Sequence, residues 1–447
     1  MTLVVMFGMV AALTAVPATA QPRPPAGTIT QYSVPDPAGQ DPALIPTIVA
    51  HPNGNIYFST HIGGGPTSRA AYLVRANVPR SRNQNVTFDW VQIPQSQAFP
   101  QHPGGLTQHA HDVEVGPDGN LWVTTPHARP GPTGKPSDIS VYTPDLQRVG
   151  CYSIQAPAGT GVFIPTMGLT TGPDGRVWGL DARFRRVFVI DPSVPPDPDC
   201  SGNAVVGLER MPANLRQPGD YDAGDIFDLD PQTNPDVIPG EAPYAGLIAG
   251  PDGNLWILAR ERNNETQGYV IRMSPAGVVT GQFAIPRTTD SRPGRITVGP
   301  DGALWFTEPN DAQIARIDPV TGVITEFNLP PGSNPRGITV GGDGAIWFTS
   351  YDDPQTNNAS YIGRLDPRTG QITTFPLEAN IGADDITTAP DGTVWFAKRT
   401  AGGQIGRVEV CSGNMGNGQG GGRAPCRAQG QQGDRQGGGG GNPRRNR

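Results

Sequence analysis

The chain has 447 residues, with Gly 60, Pro 49 and a formal net charge of −7. Frequent Gly and Pro interrupt helices and mark turns, which excludes a mainly helical protein, and the acidic balance argues against nucleic-acid binding by the folded body. Beyond the N-terminus no run of about 20 apolar residues is present to form a transmembrane helix.

The chain opens with an apolar segment, Met1–Ala20, that ends Ala18-Thr19-Ala20 before Gln21-Pro22. A short apolar region closed by small residues reads as a cleaved secretory signal, although no Lys or Arg precedes it. A secreted or periplasmic location follows, and the four cysteines, Cys151, Cys200, Cys411 and Cys426, suit an oxidising compartment. Three pairings are open to them. Cys151–Cys200 with Cys411–Cys426 is preferred, because the second pair closes a short local loop. The spacing is not that of a zinc site.

Next comes Gly27–Pro35, GTITQYSVP, and then a pattern that recurs seven times. Its copies are Ile48–Ser59, Val113–Thr124, Leu169–Leu180, Leu247–Leu258, Ile296–Thr307, Ile338–Thr349 and Ile386–Ala397, typified by ITVGPDGALWFT. Six of the seven Trp residues share one position in it, and Tyr57 takes the seventh. Pro presets a turn, Asp favours it and Gly closes it, while the flanking β-branched and aromatic runs suit buried strands. The clearest copy predicts strand A at Arg295–Gly299, strand B at Ala303–Glu308, strand C at Gln313–Asp318 and strand D at Val323–Leu329.

Four strands in a repeat of about 40–50 residues make a propeller blade, so the fold class is all-β, a seven-bladed β-propeller spanning 27–411. The seventh copy has strands A, B and C (Gln404–Val410) but stops at Cys411 without strand D. Gly27–Pro35 matches the strand D segments GVITEFNLP and GQITTFPLE, so the N-terminal strand is expected to complete the last blade. Two segments are read as lying outside the ring. Ala213–Pro243 is a long acidic insertion carrying Asp220, Asp222, Asp225, Asp228, Asp230, Asp236 and Glu241, and Ser412–Arg447 is a Gly-, Gln- and Arg-rich tail expected to be disordered.

GPDGALWFTE at Gly299–Glu308, SYIGRLDP at Ser360–Pro367, GQIGRVEV at Gly403–Val410 and ITEFNLP at Ile324–Pro330 resemble the streptogramin B lyase (virginiamycin B lyase) family. The resemblance covers all seven blades and is strongest from Arg295 to Val410. It implies a propeller that opens a cyclic depsipeptide by elimination, with a magnesium ion and a histidine base placed just before strand A of late blades. The late-blade match here reads Asn334-Pro335-Arg336-Gly337-Ile338, with arginine at the position of the base and asparagine at that of the acid, and the blade before it has Gly294.

In a propeller, residues just before strand A and just after strand B ring one mouth of the central channel. Five of the six histidines fall in such connections: His61, His102, His109, His111 and His127, while His51 sits in a hairpin turn on the opposite face. Two readings stay open for these five. They form a metal site, for zinc or another metal, or they are solvated loop histidines that never converge. The candidate assignments are His111, Arg336 and Asp384 as catalytic residues and His61, His109, His127 and Glu308 as metal ligands. Arg295, Asp181, Lys398 and Asp385 are the ligand-binding candidates. Glu308 can take a hard cation such as Mg or Ca through oxygen, the metals implied by the resemblance, or pair with an arginine. The basic mouth residues can hold an anionic ligand or pair with Asp384 and Asp385.

Two function classes follow. One is an exported lyase-like enzyme acting on a small cyclic ester, lactone or depsipeptide, with a cation polarising a carbonyl and His111 removing a proton. The other is a non-catalytic propeller binding a small molecule, peptide or protein at the same mouth. A monomer is expected in either case.

Overall fold

The computed structural model describes residues 25–35, 42–62, 70–79, 85–93, 112–125, 137–154, 166–181, 186–198, 226–228, 246–260, 267–286, 293–351, 360–378, 382–398 and 403–410. The signal segment, most of the insertion and the C-terminal tail lie outside them.

Every element in these residues is a strand. The first, β1 (Ile29–Ser33), precedes the first complete sheet. Blade one comprises β2 (Pro42–Ala50), β3 (Ile56–Ile62), β4 (Ala70–Asn77) and β5 (Thr87–Gln92). Blade two comprises β6 (Val113–Val115), β7 (Leu121–Thr125), β8 (Ser137–Tyr142) and β9 (Arg148–Ile154). Blade three comprises β10 (Thr166–Thr171), β11 (Val177–Asp181), β12 (Arg186–Ile190) and β13 (Ile226–Asp228). Blade four comprises β14 (Leu247–Ala249), β15 (Leu255–Arg260), β16 (Gly268–Met273) and β17 (Val279–Ala284). Blade five comprises β18 (Ile296–Val298), β19 (Leu304–Glu308), β20 (Gln313–Ile317) and β21 (Ile324–Asn328). Blade six comprises β22 (Pro335–Val340), β23 (Ile346–Ser350), β24 (Tyr361–Leu365) and β25 (Ile372–Pro376). Blade seven comprises β26 (Ala383–Thr388), β27 (Val394–Lys398) and β28 (Gln404–Val408), with β1 as its outer strand.

The expected closure is therefore present. Strand β1 pairs antiparallel with β28, Ile29 opposite Val408 and Ser33 opposite Gln404. Backbone bonds extend the pairing at both ends, from Gly27 N to Glu409 O at 2.8 Å and from Val34 N to Gly403 O at 2.9 Å. The insertion differs from expectation. Ile226–Asp228 pairs with β12, so a piece of the segment read as lying outside the ring is the outer strand of blade three.

Local chemistry explains the repeated motif. In blade five, Asp301 Oδ1 accepts the indole N–H of Trp305 at 3.1 Å and Oδ2 accepts Arg316 Nε at 2.6 Å. Gly302 has φ 73°, a left-handed turn position that favours glycine. A side chain at Gly299 would overlap the Trp305 ring, so only glycine lets the indole reach its acceptor. The strand D aromatic then stacks on the Trp of its own sheet, as Phe327 does on Trp305 with centroids 5.3 Å apart. Where blade seven has Ala389 in place of this glycine, Trp395 donates to Thr393 Oγ1 instead, at 3.2 Å.

Seven apolar clusters fill the spaces between successive blades, including one that joins blades seven and one through Ala389, Trp395 and Ala397 against Ile48, Ile56 and Phe58. A closed ring leaves no blade face bare. Cys151 is disulfide-bonded, and its backbone exchanges two hydrogen bonds of 2.9 Å with Asp197, three residues before Cys200. The cysteines that can partner it lie outside the described residues.

Candidate functional site

Strand A is the innermost strand of every blade, so its inner edge has no neighbouring strand to satisfy its backbone groups. Just before the first apolar residue of strand A, four blades carry Thr47, Asp112, Arg295 or Asp385, and the other three carry glycine. Asp112 and Asp385 occupy the same repeat position and make the same bond. Asp112 Oδ2 accepts Leu169 N of blade three at 2.8 Å, and Asp385 Oδ2 accepts Ile48 N of blade one at 3.0 Å. Asp112 Oδ1 also accepts the Thr47 hydroxyl at 3.3 Å. These carboxylates staple blade two to blade three and blade seven to blade one.

Arg295 lies among Asp385, Asp112 and Asp384. Blade five adjoins neither blade two nor blade seven, so these attractions run across the channel. Burial works against the guanidinium charge, and the three carboxylates outweigh it and raise the pKa of Arg295. Burial raises the pKa of Asp112 against the pull of Arg295 and of the Leu169 N–H. Two residues further along, on β6, Glu114 is pushed up to about 8 by burial and then by Asp112 and Asp385. Glu114 is therefore largely protonated near neutral pH. The other six copies have Val, Thr or Ile at its position, which is the signal by which the sequence singles it out.

The rim is set by a relay of threonines at the ends of strand B. Thr307 Oγ1 accepts Arg295 N at 3.0 Å and donates to Arg336 O at 3.0 Å. Thr349 Oγ1 accepts Gly337 N at 2.9 Å and donates to Asp384 O at 2.7 Å. Beside them the Arg336 guanidinium lies over the Tyr351 ring, 5.6 Å from its centroid, with a buried Nε that has no hydrogen-bond partner. A side chain at Gly337 would strike the backbone of Asp384 and Asp385, so the approach of blades six and seven requires glycine beside Arg336. Lys398 turns along its sheet, donating from Nζ to Gln404 Oε1 at 2.9 Å.

The remaining candidates fall differently. His109, His111, His127 and His102 lie outside the described residues. His61 is placed on β3, opposite Leu44 and Ala71, and Asp181 ends β11, opposite Thr166 and Arg186. The side chains of both lie outside the description. His51 is a turn residue: Nδ1 accepts Asn53 N at 3.0 Å and Nε2 bonds Gly119 O at 2.9 Å. Glu308 is fully buried within blade five, at 0% exposure, and is not grouped with the channel residues. Burial, followed by Glu326 and Asp311, pushes its pKa up to about 8. Among the described residues, no three His, Cys, Asp or Glu side chains form a metal-binding group.

Residues 233–416, blades four to seven, match the model of the virginiamycin B lyase family. This is a virginiamycin B lyase-like propeller. A streptogramin B lyase structure superposes on it with a TM-score of 0.56 at 21% identity, over 86% of this chain and 97% of that one. A catalytically inactive virginiamycin B lyase from Staphylococcus aureus with quinupristin gives 0.56 at 21% identity, over 85% and 99%. The extracellular domain of a protein assigned as a hybrid two component system from B. thetaiotaomicron gives 0.54 at 14% identity, over 86% of this chain and 42% of that one. Identities this low establish a common fold. No curated protein matches the chain. Within this lyase-like ring the described mouth is built from arginine, threonine and carboxylates committed to the backbone.

Proposed function

We propose that this propeller is an exported, lyase-like protein that takes a small cyclic ester, lactone or depsipeptide at its mouth and opens it by elimination. The observation that carries this reading is the Arg336 guanidinium, held at the rim by Tyr351, with its buried Nε unpartnered. In such an elimination a base removes a proton from the carbon next to the C–O carbon. The C–O bond breaks and its electron pair leaves on the carboxylate. Arg336 receives that carboxylate, since a guanidinium matches carboxylate geometry and never loses its charge. Arginine cannot act as the base. His111, which directly precedes Asp112 in the chain, is the candidate for that role.

The described mouth does not fit a catalytic metal. Asp112 and Asp385 direct carboxylate oxygens at backbone N–H groups, and Asp384 acts on Arg295. No step is assigned to a metal here. Export is supported by the Met1–Ala20 segment and by the disulfide at Cys151.

The same commitment of Asp112 and Asp385 favours a second reading, in which the mouth binds such a ligand or a peptide without turning it over. One experiment separates the two. The purified protein is incubated with quinupristin and with a panel of small lactones, and products are followed by liquid chromatography and mass spectrometry. Elimination gives a linear product of unchanged mass, whereas hydrolysis adds one water. Product that is lost in Arg336→Ala supports the lyase. Binding without product supports the second reading, and absence of both removes this ligand class.

A further inference from the structure

Blade five contains a buried group of side-chain oxygen atoms that make no hydrogen bond among the described residues. Both carboxylate oxygens of Glu308, Oε1 of Gln313 and Oε1 of Glu326 are buried and make no hydrogen bond. Glu308 is 0% and Gln313 6% exposed. The sheet register brings them together. Glu308 stands opposite Gln313, Gln313 opposite Asn328, and Ala315 opposite Glu326. Alternation places Glu308, Gln313, Asn328 and Glu326 on one face of the blade. Gln313 Nε2 donates to Asn328 Oδ1 at 2.9 Å, and in this orientation Oε1 is directed away from that bond. The charged groups that act on Glu308 among the described residues, Glu326 and Asp311, are both acidic.

Buried acceptors left without donors are costly, and more so when charged. Carboxylate and amide oxygens, without sulfur or imidazole nitrogen, are the ligands a hard cation prefers. We propose that blade five binds a divalent cation of the calcium type through the Glu308 carboxylate, the Gln313 side-chain oxygen and the Glu326 carboxylate, with water completing its shell. The site does not depend on the lyase reading. Its ligands come from the strands that run outward from the channel, on a different blade from Asn334–Ile338, and an amide takes the place of a third acidic ligand.

The test uses the full-length protein, freed of metal with a chelator, and thermal unfolding at pH 8 with increasing CaCl2, alongside a MgCl2 series. Wild type is expected to gain about 3 °C or more in Tm at millimolar Ca2+. Glu308→Gln, an isosteric change, is expected to abolish the gain. Glu326→Gln, at the half-buried side of the site, is expected to weaken the apparent affinity at least about tenfold, and it carries the test if the first variant does not fold. Absence of a Tm gain in wild type with either cation overturns the proposal. An equal gain in wild type and both variants also overturns it, since the cation then binds elsewhere on the chain.

Discussion

Tyr32 is stacked on Trp395, ring centroids 5.5 Å apart and planes inclined by 19°. One belongs to β1 and the other to the hairpin of the seventh repeat. The contact repeats what Phe327 makes with Trp305 inside a single continuous blade, at 5.3 Å. The two chain ends are thus joined by the ordinary strand D contact, with the N-terminal strand in the strand D place.

Tyr32→Ala should therefore cost about as much as Phe327→Ala, roughly 2 kcal/mol each for a half-buried stacked ring. Urea denaturation of the two variants measures this. A silent Tyr32→Ala beside a destabilising Phe327→Ala would show that the ring is not closed through β1.

Asp385→Ala removes the acceptor of the Ile48 N–H at the seam between blades seven and one. A loss of about 1–3 kcal/mol is expected. Asp385→Asn keeps a carbonyl acceptor and should recover much of it. If the two variants are equally destabilised, the charge facing Arg295 matters more than the staple. Asp112→Ala and Asp112→Asn give the same comparison between blades two and three.

Glu114 gives the fold a pH dependence on the alkaline side. Its folded pKa is raised from an ordinary 4.5 to about 8, by burial first and then by Asp112 and Asp385. The folded state holds this proton where the unfolded chain has released it, so stability falls as pH rises from about 4.5 and the loss is complete above about 8. Arg295 faces the same two carboxylates, Asp112 and Asp385. Glu114→Gln should flatten the decline between about pH 5 and about 8, read as chemical-denaturation midpoints at several pH values. An unchanged slope in the variant would place the titrating group elsewhere.

Asp301 works in the opposite direction. Burial opposes its charge, but hydrogen bonds from Arg316 and Trp305 outweigh it and lower its pKa. Its contribution is present above the unfolded pKa and is lost as pH falls through the folded one. Asp301→Ala leaves the indole N–H of a fully buried Trp305 without an acceptor and should cost about 1–3 kcal/mol at neutral pH. Trp305→Phe in the same background should then cost less than it does in wild type, which a double-mutant cycle reads directly.

The repeated hairpin is legible in the sequence because its causes are local. Asp301 and Trp305 are four residues apart, Gly299 clears the ring and Gly302 takes the left-handed turn, so each blade carries its own instructions. The missing strand D after Val410 and the spare one at Gly27–Pro35 likewise disclosed the closure. The sequence did not reveal Ile226–Asp228 as the outer strand of blade three, because that segment lacks the ITEF pattern and is defined only by pairing with β12. Nor did it reveal the chemistry of the channel. Asp112, Glu114, Arg295 and Asp385 come from blades two, five and seven, and the pKa shifts among them depend on burial and on charges facing them across the axis. Short-range sterics and hydrogen bonds are written within a dozen residues and fixed the blade. Electrostatics across the ring exist only once it has closed, and there the tertiary structure alone decides which carboxylate is a staple, which is protonated and which arginine keeps a buried Nε without a hydrogen bond.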